Sequence, residues 1–341
     1  MLPKSSPEAA LLFTKLAVGL ASSWPPSQTA NKFRILIFDI SWYALFALFF
    51  EMENFCRNAD KQERSVLERN VERCKFVHIT YTLGCYLTAV IIICGPLYTS
   101  QNFPTDAKYP FEIDHHPIKE IIFLHQALVG LQASAGLTID CQVALLLWYT
   151  GAKYEILTEK LMDIQNDNQL NSCLKKHQEI IKYTEQVKGV VKYLILTIVA
   201  TTNVVIIFGG LNIVSGMCTM SRHCPQYRAV FVNQQPLIVK AQYIVIVISA
   251  STELFICAWP ADNLITMFQS QNISQGVYNS NWLSTKPKNR RTIIQCILRS
   301  QKPENIHIGS VLPALSLKYY ASFLSTSFSY FTTLRATLTD N

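Results

Sequence analysis

Ionisable side chains inside apolar stretches are the residues of this sequence whose positions most directly suggest chemistry. Asp39, Asp140, Glu253 and Asp262 each fall within a hydrophobic run. An acid in hydrocarbon is costly, so acids at such positions usually line an ion pathway or a ligand site. A buried, hydrogen-bonded contact between helices is the alternative, and the sequence favours it for each acid taken singly.

Polar side chains scattered among aliphatic residues predict a second kind of site. A small volatile ligand needs an apolar cavity that offers a few polar groups. The same side chains could join neighbouring helices by hydrogen bonds, and this alternative is favoured for any single residue. The candidate ligand-binding residues, all within apolar runs, are Tyr81, Cys85, Gln126, Ser134, Thr201 and Tyr243.

The last apolar run, 308–335, carries hydroxyl side chains between Phe, Tyr and Leu residues. Ser325, Ser329, Thr332 and Thr333 follow the helical spacing i, i+4, i+7, i+8, which places them near one face. A face of hydroxyl groups suits contact with water in a pore. Packing inside a bundle through small residues is the alternative, and the residues alone leave both open.

Cysteine, histidine and glycine patterns give weaker signals. Cys218 and Cys224 fall in a stretch expected outside the cell, where oxidising conditions favour a disulfide; two unpaired thiols are the alternative. His115-His116 is an isolated pair, and the sequence has no Cys-x-x-Cys metal motif. It also has no Walker A, dinucleotide-binding or hydrolase nucleophile motif. We therefore expect no metal, no cofactor and no enzymatic activity.

The elements that must position these residues are membrane-spanning helices. Of the 341 residues, 50% are hydrophobic and 16% are charged, and the mean hydropathy is +0.19. Soluble domains carry about 25% charged residues. Six apolar runs approach the length of a span, namely 33–50, 76–98, 120–150, 190–217, 237–268 and 308–335. The expected fold is an all-α, multi-span transmembrane helical bundle that forms one domain.

Basic residues between the runs predict which ends of the spans face the cytoplasm. The stretches rich in Lys and Arg are 51–75, 151–187 and 269–305, and those between them are poor in both. Because basic loops stay in the cytoplasm, the C-terminus is expected outside the cell. The same alternation puts the N-terminus outside, in conflict with Lys4, Lys15 and Lys32. The net charge of +7 is thus a topology signal and does not indicate nucleic-acid binding.

The sequence resembles the insect odorant receptors along nearly its whole length, most strongly after residue 250. Upstream, 60–73 and 173–177 resemble the first and second inner loops of that family, and 109–111 (YPF) resembles a motif of its second outer loop. The matching segments near the C-terminus are 257–264 (CAWPADNL), 276–282 (GVYNSNW), 290–291 (RR), 299–303 (RSQKP), 315–317 (LSL) and 327–331 (SFSYF).

This resemblance implies a seven-span receptor with a cytoplasmic N-terminus and an external C-terminus. Family members assemble with a shared odorant-receptor coreceptor into heterotetrameric, odorant-gated, non-selective cation channels in the plasma membrane of olfactory sensory neurons. The resemblance implies a cytoplasmic segment over 1–32, a ligand-sensing bundle over 33–268, and a cytoplasmic anchor helix and pore helix over 286–341. Thr333, Ala336 and Thr337 match the pore-gate positions of the family.

The chain departs from the family plan in its number of spans. Six spans are apparent where the family has seven, because 33–50 aligns with the first span while 51–75 already resembles the first inner loop. The second span is therefore expected to be absent, which also explains the conflict at the N-terminus. A skipped exon or a truncated gene model is the leading explanation.

Two other functions compete with an odorant receptor. A gustatory-type receptor of the same superfamily has the same topology, and the pattern around Ser329-Tyr330 disfavours it. A secondary transporter would use Asp140 and Asp262 to carry the coupling ion, although the sequence has no matched halves with broken helices.

Overall fold

Helices make up nearly all of the described structure. The computed structural model describes residues 6–21, 45, 47–97, 102–105, 107, 109–113, 115–162, 167–215, 237–269, 278, 290–291, 293–294, 297–298 and 313–339. The helices are α1 (Pro7–Ala17), α2 (47–58), α3 (Lys61–Ile93), α4 (Ile118–Leu137), α5 (Ile139–Met162), α6 (Asp167–Ser215), α7 (Leu237–Gln269) and α8 (Leu317–Thr339). The expected all-α architecture is confirmed.

Four of the described helical segments are long and apolar enough to cross a membrane. They are Lys61–Ile93, Ile118–Met162, Asn168–Ile213 and Ala241–Met267. The second to fifth apolar runs lie in these segments, so the expected multi-span bundle is confirmed. The first run falls mostly outside the described residues, and the last run forms α8, which is rich in Ser and Thr.

The basic stretches 51–75 and 151–187, which the sequence suggests are loops, are mostly helical. α3 begins at Lys61, and α5 and α6 are separated only by residues 163–166. The interpretation as loops was wrong because charged residues extend the spans beyond their apolar parts. A reciprocal cap starts α3: Asp60 Oδ1 accepts from the Glu63 N–H at 2.8 Å, and Glu63 Oε2 accepts from the Asp60 N–H at 3.1 Å.

Polar contacts bring these two basic stretches together at one end of the bundle. Lys160 Nζ lies 2.5 Å from Glu63 Oε1 and 3.1 Å from Asp60 Oδ2, and Asn70 Nδ2 lies 2.8 Å from Glu155 Oε2. The hydrogen bond from the Glu63 backbone, aided by the Lys160 ammonium, lowers the pKa of Asp60 below its ordinary value. Both stretches were expected in the cytoplasm, and their contact requires that they share one side.

The N-terminal segment 6–21 packs along the bundle. Leu11 is buried, Glu8 pairs with Arg64, and the Ala17 carbonyl accepts hydrogen bonds from Tyr86 Oη at 2.5 Å and Thr138 Oγ1 at 3.1 Å. Thr138 lies at the junction of α4 and α5, so this segment reaches from the charged end of α3 to the middle of the long α4–α5 span. The assignment of 1–32 to the cytoplasm stays a prediction.

α6 approaches α7 and α8 closely at two adjacent glycines. A Cβ atom at Gly209 would lie 2.6 Å from Val247 Cγ2 on α7, and one at Gly210 would lie 2.8 Å from Phe331 Cδ2 on α8. Both distances are too short for a side chain at these positions without movement of the neighbour. Small residues let membrane helices approach in this way.

α7 and α8 are joined where α8 begins. The Leu317 N–H donates to Asp262 Oδ1 at 3.2 Å, and the Tyr319 N–H donates to Ser316 Oγ at 3.1 Å. The rings of Phe255 and Tyr320 lie 5.6 Å apart, centroid to centroid. Two N–H groups that the helix itself leaves unpaired are therefore satisfied, one of them by α7.

Candidate ligand-binding cavity

A cavity of about 520 Å³ lies between α3, α4, α6, α7 and the segment 102–113. These helices contain the second to fifth apolar runs, where the sequence predicts a ligand site. The volume lies in the range of small-molecule pockets, about 300–1,000 Å³.

Two helices supply most of the cavity wall at regular helical spacing. On α4, Gln126, Gly130 and Ala133 face the cavity together with Ser134 and Leu137. This spacing of three and four residues selects one face of a helix. The α3 wall comprises Cys85, Thr88, Ala89, Ile92 and Ile93.

α7 supplies the third wall and the acid of the cavity. Ile246, Ser249, Ala250 and Glu253 line the cavity at the spacing i, i+3, i+4, i+7. α6 contributes Val205 to the wall. The described lining contains neither Lys nor Arg, and most of its members are aliphatic or small.

Gln126 holds the segment 102–113 over one end of the cavity. Its side-chain Oε1 accepts from the Thr105 N–H at 3.0 Å, and its Nε2 donates to Tyr109 Oη at 3.0 Å. The Gln126 side chain is buried. Both hydrogen-bonding ends of the amide are thus used to fasten this segment to α4, and Pro104, Thr105 and Tyr109 of the segment line this end of the cavity.

Two neighbouring acids lie toward the opposite end of the cavity. Glu253 lines the cavity, and Asp140, which is 6% exposed, is a neighbouring acid that is not part of the lining. Tyr81 lies beside them and donates to the Leu137 carbonyl at 3.4 Å. The sequence singled out both acids but could not show that they are neighbours.

Three of the six predicted ligand-binding residues lie together in this cavity. Cys85, Gln126 and Ser134 line it, and Ser134 Oγ donates to the Cys85 carbonyl at 3.0 Å. Tyr81 is not part of the described lining, but its hydroxyl donates to the carbonyl of Leu137, which is. Thr201 is exposed, with its hydroxyl donating to the Thr197 carbonyl at 2.9 Å.

The sixth predicted residue, Tyr243, is half-buried and is not part of the described lining. Polar wall residues that sequence reasoning missed include Thr88, His125 and Ser249. Ser249 precedes Glu253 by one helical turn, and Thr88 follows Cys85 by three residues, so their spacing from recognised residues was the signal available. That any of these residues binds a ligand stays a prediction.

The residues predicted at the pore gate lie on α8. Thr333 and Ala336 are exposed, and Thr333 Oγ1 donates to the Ser329 carbonyl at 2.9 Å. The Thr337 side chain lies outside the described residues. Ser325, Ser329, Thr332 and Thr333, which the sequence places on one face, are all exposed in this single chain.

The predicted disulfide between Cys218 and Cys224 falls outside the described residues. Seven cysteines within the described part of the chain are free thiols. In that same part, no three His, Cys, Asp or Glu side chains are close enough together to hold a metal ion.

Comparison with protein families gives a match over most of the chain. The sequence model described as "7tm Odorant receptor" matches residues 32–328. Among curated proteins, odorant receptor 13a of Drosophila melanogaster is 23% identical over 283 residues, which cover 75% of this chain and 63% of that protein. Odorant receptor 10 of Aedes albopictus is 27% identical over 169 residues, covering 50% of this chain and 40% of that receptor. The matches thus span less than two thirds of these relatives.

Solved structures show the same fold. The insect olfactory receptor OR5 from Machilis hrabei, in complex with eugenol, superposes with a TM-score of 0.65 at 16% identity. The superposition covers 95% of this chain and 79% of that one.

Proposed function

Because this chain belongs to the insect odorant receptor family, we propose that it binds small volatile ligands and thereby opens a non-selective cation channel. In this proposal it assembles with the odorant-receptor coreceptor into a heterotetramer in the plasma membrane of olfactory sensory neurons. The observation that carries the proposal is the apolar cavity of about 520 Å³ between α3, α4 and α7. Its walls suit an uncharged or weakly polar volatile molecule, and its few polar groups would orient that molecule.

A connection between cavity and pore supports the gating part of the proposal. α7 contributes Glu253 to the cavity and Asp262, nine residues later, to the first turn of α8. A ligand that favours one orientation of α7 would therefore bias the position of α8. It can shift this equilibrium only by its difference in affinity for the two states.

α8 is proposed to line the pore. Six of its described Ser and Thr side chains are exposed in this chain, whereas Ser327 is buried and Phe331 packs against α6. Hydroxyl groups on such a surface would face hydrated cations once four subunits surround a central axis. Thr333, Ala336 and Thr337 are the proposed gate residues.

The proposed orientation places the charged ends of α3, α5 and α6 in the cytoplasm and the C-terminus outside. The clustered Lys and Arg residues at that end support it. We propose that 1–32 is the cytoplasmic N-terminal segment and that 33–268 is the ligand-sensing bundle. The anchor and pore helices are proposed to lie within 286–341. The absent second span, between residues 50 and 51, remains part of this proposal.

The two alternatives receive less support. The family match favours odorant over gustatory receptors. A coupling-ion site made by Asp140 and Asp262 would need both carboxylates at one ion, yet the Asp262 carboxylate accepts the Leu317 N–H at the start of α8.

The proposal is tested by expressing the chain with and without the coreceptor and recording currents during exposure to a panel of volatile compounds. We expect a cation current that requires this chain, the coreceptor and a subset of the compounds. Surface labelling checks that the chain reaches the membrane. The channel proposal would be overturned if a surface-expressed complex gave no current with any volatile compound but did show ion-coupled uptake.

A further inference from the structure

We propose that the cavity selects small volatile carbonyl compounds, such as ketones, whose oxygen accepts a hydrogen bond from the Tyr109 hydroxyl. This inference rests on the proposed function of the cavity as the odorant site and names the chemical class that the site takes. It is carried by the two hydrogen bonds of Gln126, because together they fix the role of the Tyr109 oxygen.

The orientation of the Gln126 amide follows from its contact with the backbone. A backbone N–H can only donate, so the Gln126 atom that lies 3.0 Å from the Thr105 nitrogen is the carbonyl oxygen. The other end of the amide is therefore its NH2 group, which can only donate, and it lies 3.0 Å from Tyr109 Oη. Tyr109 accepts in this bond and keeps its own hydroxyl proton.

The Tyr109 hydroxyl proton has no acceptor in the part of the chain that the structure describes. The bond from Gln126 is the only described hydrogen bond of this hydroxyl. Tyr109 is half-buried and lines the cavity, and its ring packs against Phe111 with the ring centroids 5.5 Å apart. A donor left without a partner at an apolar cavity is costly, so the complementary ligand brings an acceptor to it.

His125 supplies a second donor at the same end of the cavity. It precedes Gln126 on α4, lines the cavity, and has no hydrogen-bond partner among the described residues. In either tautomer and either protonation state its ring carries at least one N–H. A carbonyl oxygen has two lone pairs and no proton, so donors alone satisfy it. A hydrocarbon offers no acceptor, and an alcohol brings a proton that needs an acceptor of its own.

The walls between the two ends of the cavity suit the apolar part of such a ligand. The Thr88 hydroxyl donates to the Gly84 carbonyl at 2.8 Å, and the Ser134 hydroxyl donates to the Cys85 carbonyl at 3.0 Å. Because these hydroxyl protons are already used, a ligand along α3 and α4 meets mainly aliphatic side chains. Aliphatic members of the lining include Ile92, Ile93, Val129, Leu137, Val205 and Ile246.

The opposite end of the cavity is the competing position for a ligand oxygen. Ser249 and Glu253 line the cavity there. A serine hydroxyl can donate or accept, so it does not by itself select a carbonyl. The Tyr109 hydroxyl selects one, because its oxygen already accepts from Gln126 and its proton is free to donate.

The test compares each ketone with the alkene in which a CH2 group replaces the oxygen. The pairs are 2-heptanone with 2-methyl-1-heptene, and acetophenone with α-methylstyrene; only the ketones accept a strong hydrogen bond. Dose–response curves are recorded on the full chain expressed with the coreceptor. Tyr109→Phe removes only the hydroxyl group. We expect it to raise the half-activating concentration of the ketones about tenfold, as for one lost hydrogen bond, and that of the alkenes less than about threefold.

The alkenes also control for a change in structure. Tyr109→Phe deprives the Gln126 amide of its acceptor, and any loosening of the segment 102–113 that follows would affect ketones and alkenes alike. Tyr193→Phe, the same change at an exposed tyrosine on α6 outside the described lining, should alter neither response.

Two results would overturn the inference. One is an equal shift for ketones and alkenes in Tyr109→Phe, because Tyr109 would then be only structural. The other is a ketone-selective loss in Ser249→Ala with none in Tyr109→Phe, because the ligand oxygen would then lie at the opposite end of the cavity.

A second readout separates this inference from the channel proposal. The ketone 2-heptanone should raise the melting temperature of the purified wild-type chain more than that of Tyr109→Phe, whereas 2-methyl-1-heptene should affect both equally. This pattern without any evoked current would retain the carbonyl site and reject the channel function. A current evoked by other volatile compounds, with neither current nor stabilisation from the ketones, would retain the channel function and overturn the carbonyl site.

Discussion

The Asp262 carboxylate on α7 accepts the Leu317 N–H at 3.2 Å and so fixes the first turn of α8. An anion at this position also interacts favourably with the positive end of the α8 dipole. The contact lies nine residues after Glu253 on the same helix, so α7 connects the cavity with the start of the proposed pore helix.

Asp262→Ala should uncouple ligand binding from channel opening. The substitution removes an acceptor worth about 1 kcal/mol at a helix N-terminus. We expect a smaller maximal odorant-evoked current per surface receptor and a half-activating concentration within about threefold of wild type. Asp262→Asn keeps an oxygen acceptor and should retain most of the current. Equal losses in both variants would mean that the charge, rather than the hydrogen bond, is required.

Gly210→Ala should disturb the contact between α6 and α8. The new methyl group would lie 2.8 Å from Phe331 Cδ2, and overpacking of this kind costs about 1–3 kcal/mol. We expect a lower maximal current that Phe331→Leu partly restores in the double variant. Gly189→Ala is the control, because a Cβ there meets no atom within 4 Å. An unchanged current in Gly210→Ala would show that α6 and α8 do not need this close approach.

Gln126→Leu should loosen the segment 102–113, which lines one end of the cavity and is proposed to close it. It leaves the Thr105 N–H and the Tyr109 hydroxyl without their described partner, at a cost of about 1–3 kcal/mol for such groups when buried. We expect the current to decay several-fold faster after odorant washout. Gln132→Leu, at an exposed position on the same helix, should decay at the wild-type rate. Identical decay in both variants would contradict a closing role for the segment.

Asp60→Ala should lower the stability of the charged end of the bundle in a pH-dependent way. Loss of the α3 cap costs about 1 kcal/mol. Since the pKa of Asp60 is lowered in the folded protein, its carboxylate stabilises the fold above the unfolded pKa, and this contribution is lost as pH falls through the folded pKa. Melting temperatures of the purified variant and wild type should therefore differ from neutral pH down to about pH 5. The part of this difference that depends on the Asp60 charge should shrink below about pH 4 and vanish as pH falls through the folded pKa.

The control for this pH series is Glu68→Ala, an exposed acid on the outer face of α3. It should melt with the wild type at every pH. A difference between Asp60→Ala and wild type that persists unchanged well below pH 4 would contradict the assigned role of the Asp60 charge.

The spans could be predicted from sequence because the thickness of the bilayer sets the length of an apolar run. The charged helix ends were predicted wrongly as loops. The cap between Asp60 and Glu63 is local, but the bond from Lys160 that holds this end to α5 joins residues a hundred positions apart. Hydropathy does not predict where a helix ends once it extends beyond the membrane.

The sequence predicted which helices form the cavity but only some of the residues that line it. Ser134 and Thr201 looked alike in sequence, as polar residues within apolar runs, yet Ser134 faces the cavity and Thr201 faces outward. The rotation of each helix about its axis decides this difference, and packing against neighbours sets that rotation. Asp262 was likewise predicted only as an acid within an apolar run, because its partner, the Leu317 N–H, is distant in sequence.

Filling the cavity tests the proposed ligand site most directly. A side chain at Gly130 would extend toward Ile93, 3.9 Å from the added Cβ, and into the cavity, whereas one at Gly84 meets open space. Both changes to Leu add helix propensity, about 0.5–1 kcal/mol, so neither should impair folding. The measurement is the dose–response curve of the best volatile agonist on surface-expressed receptor with coreceptor. We expect Gly130→Leu to raise the half-activating concentration at least about tenfold and Gly84→Leu to leave it unchanged. Wild-type curves for both variants would place the ligand elsewhere.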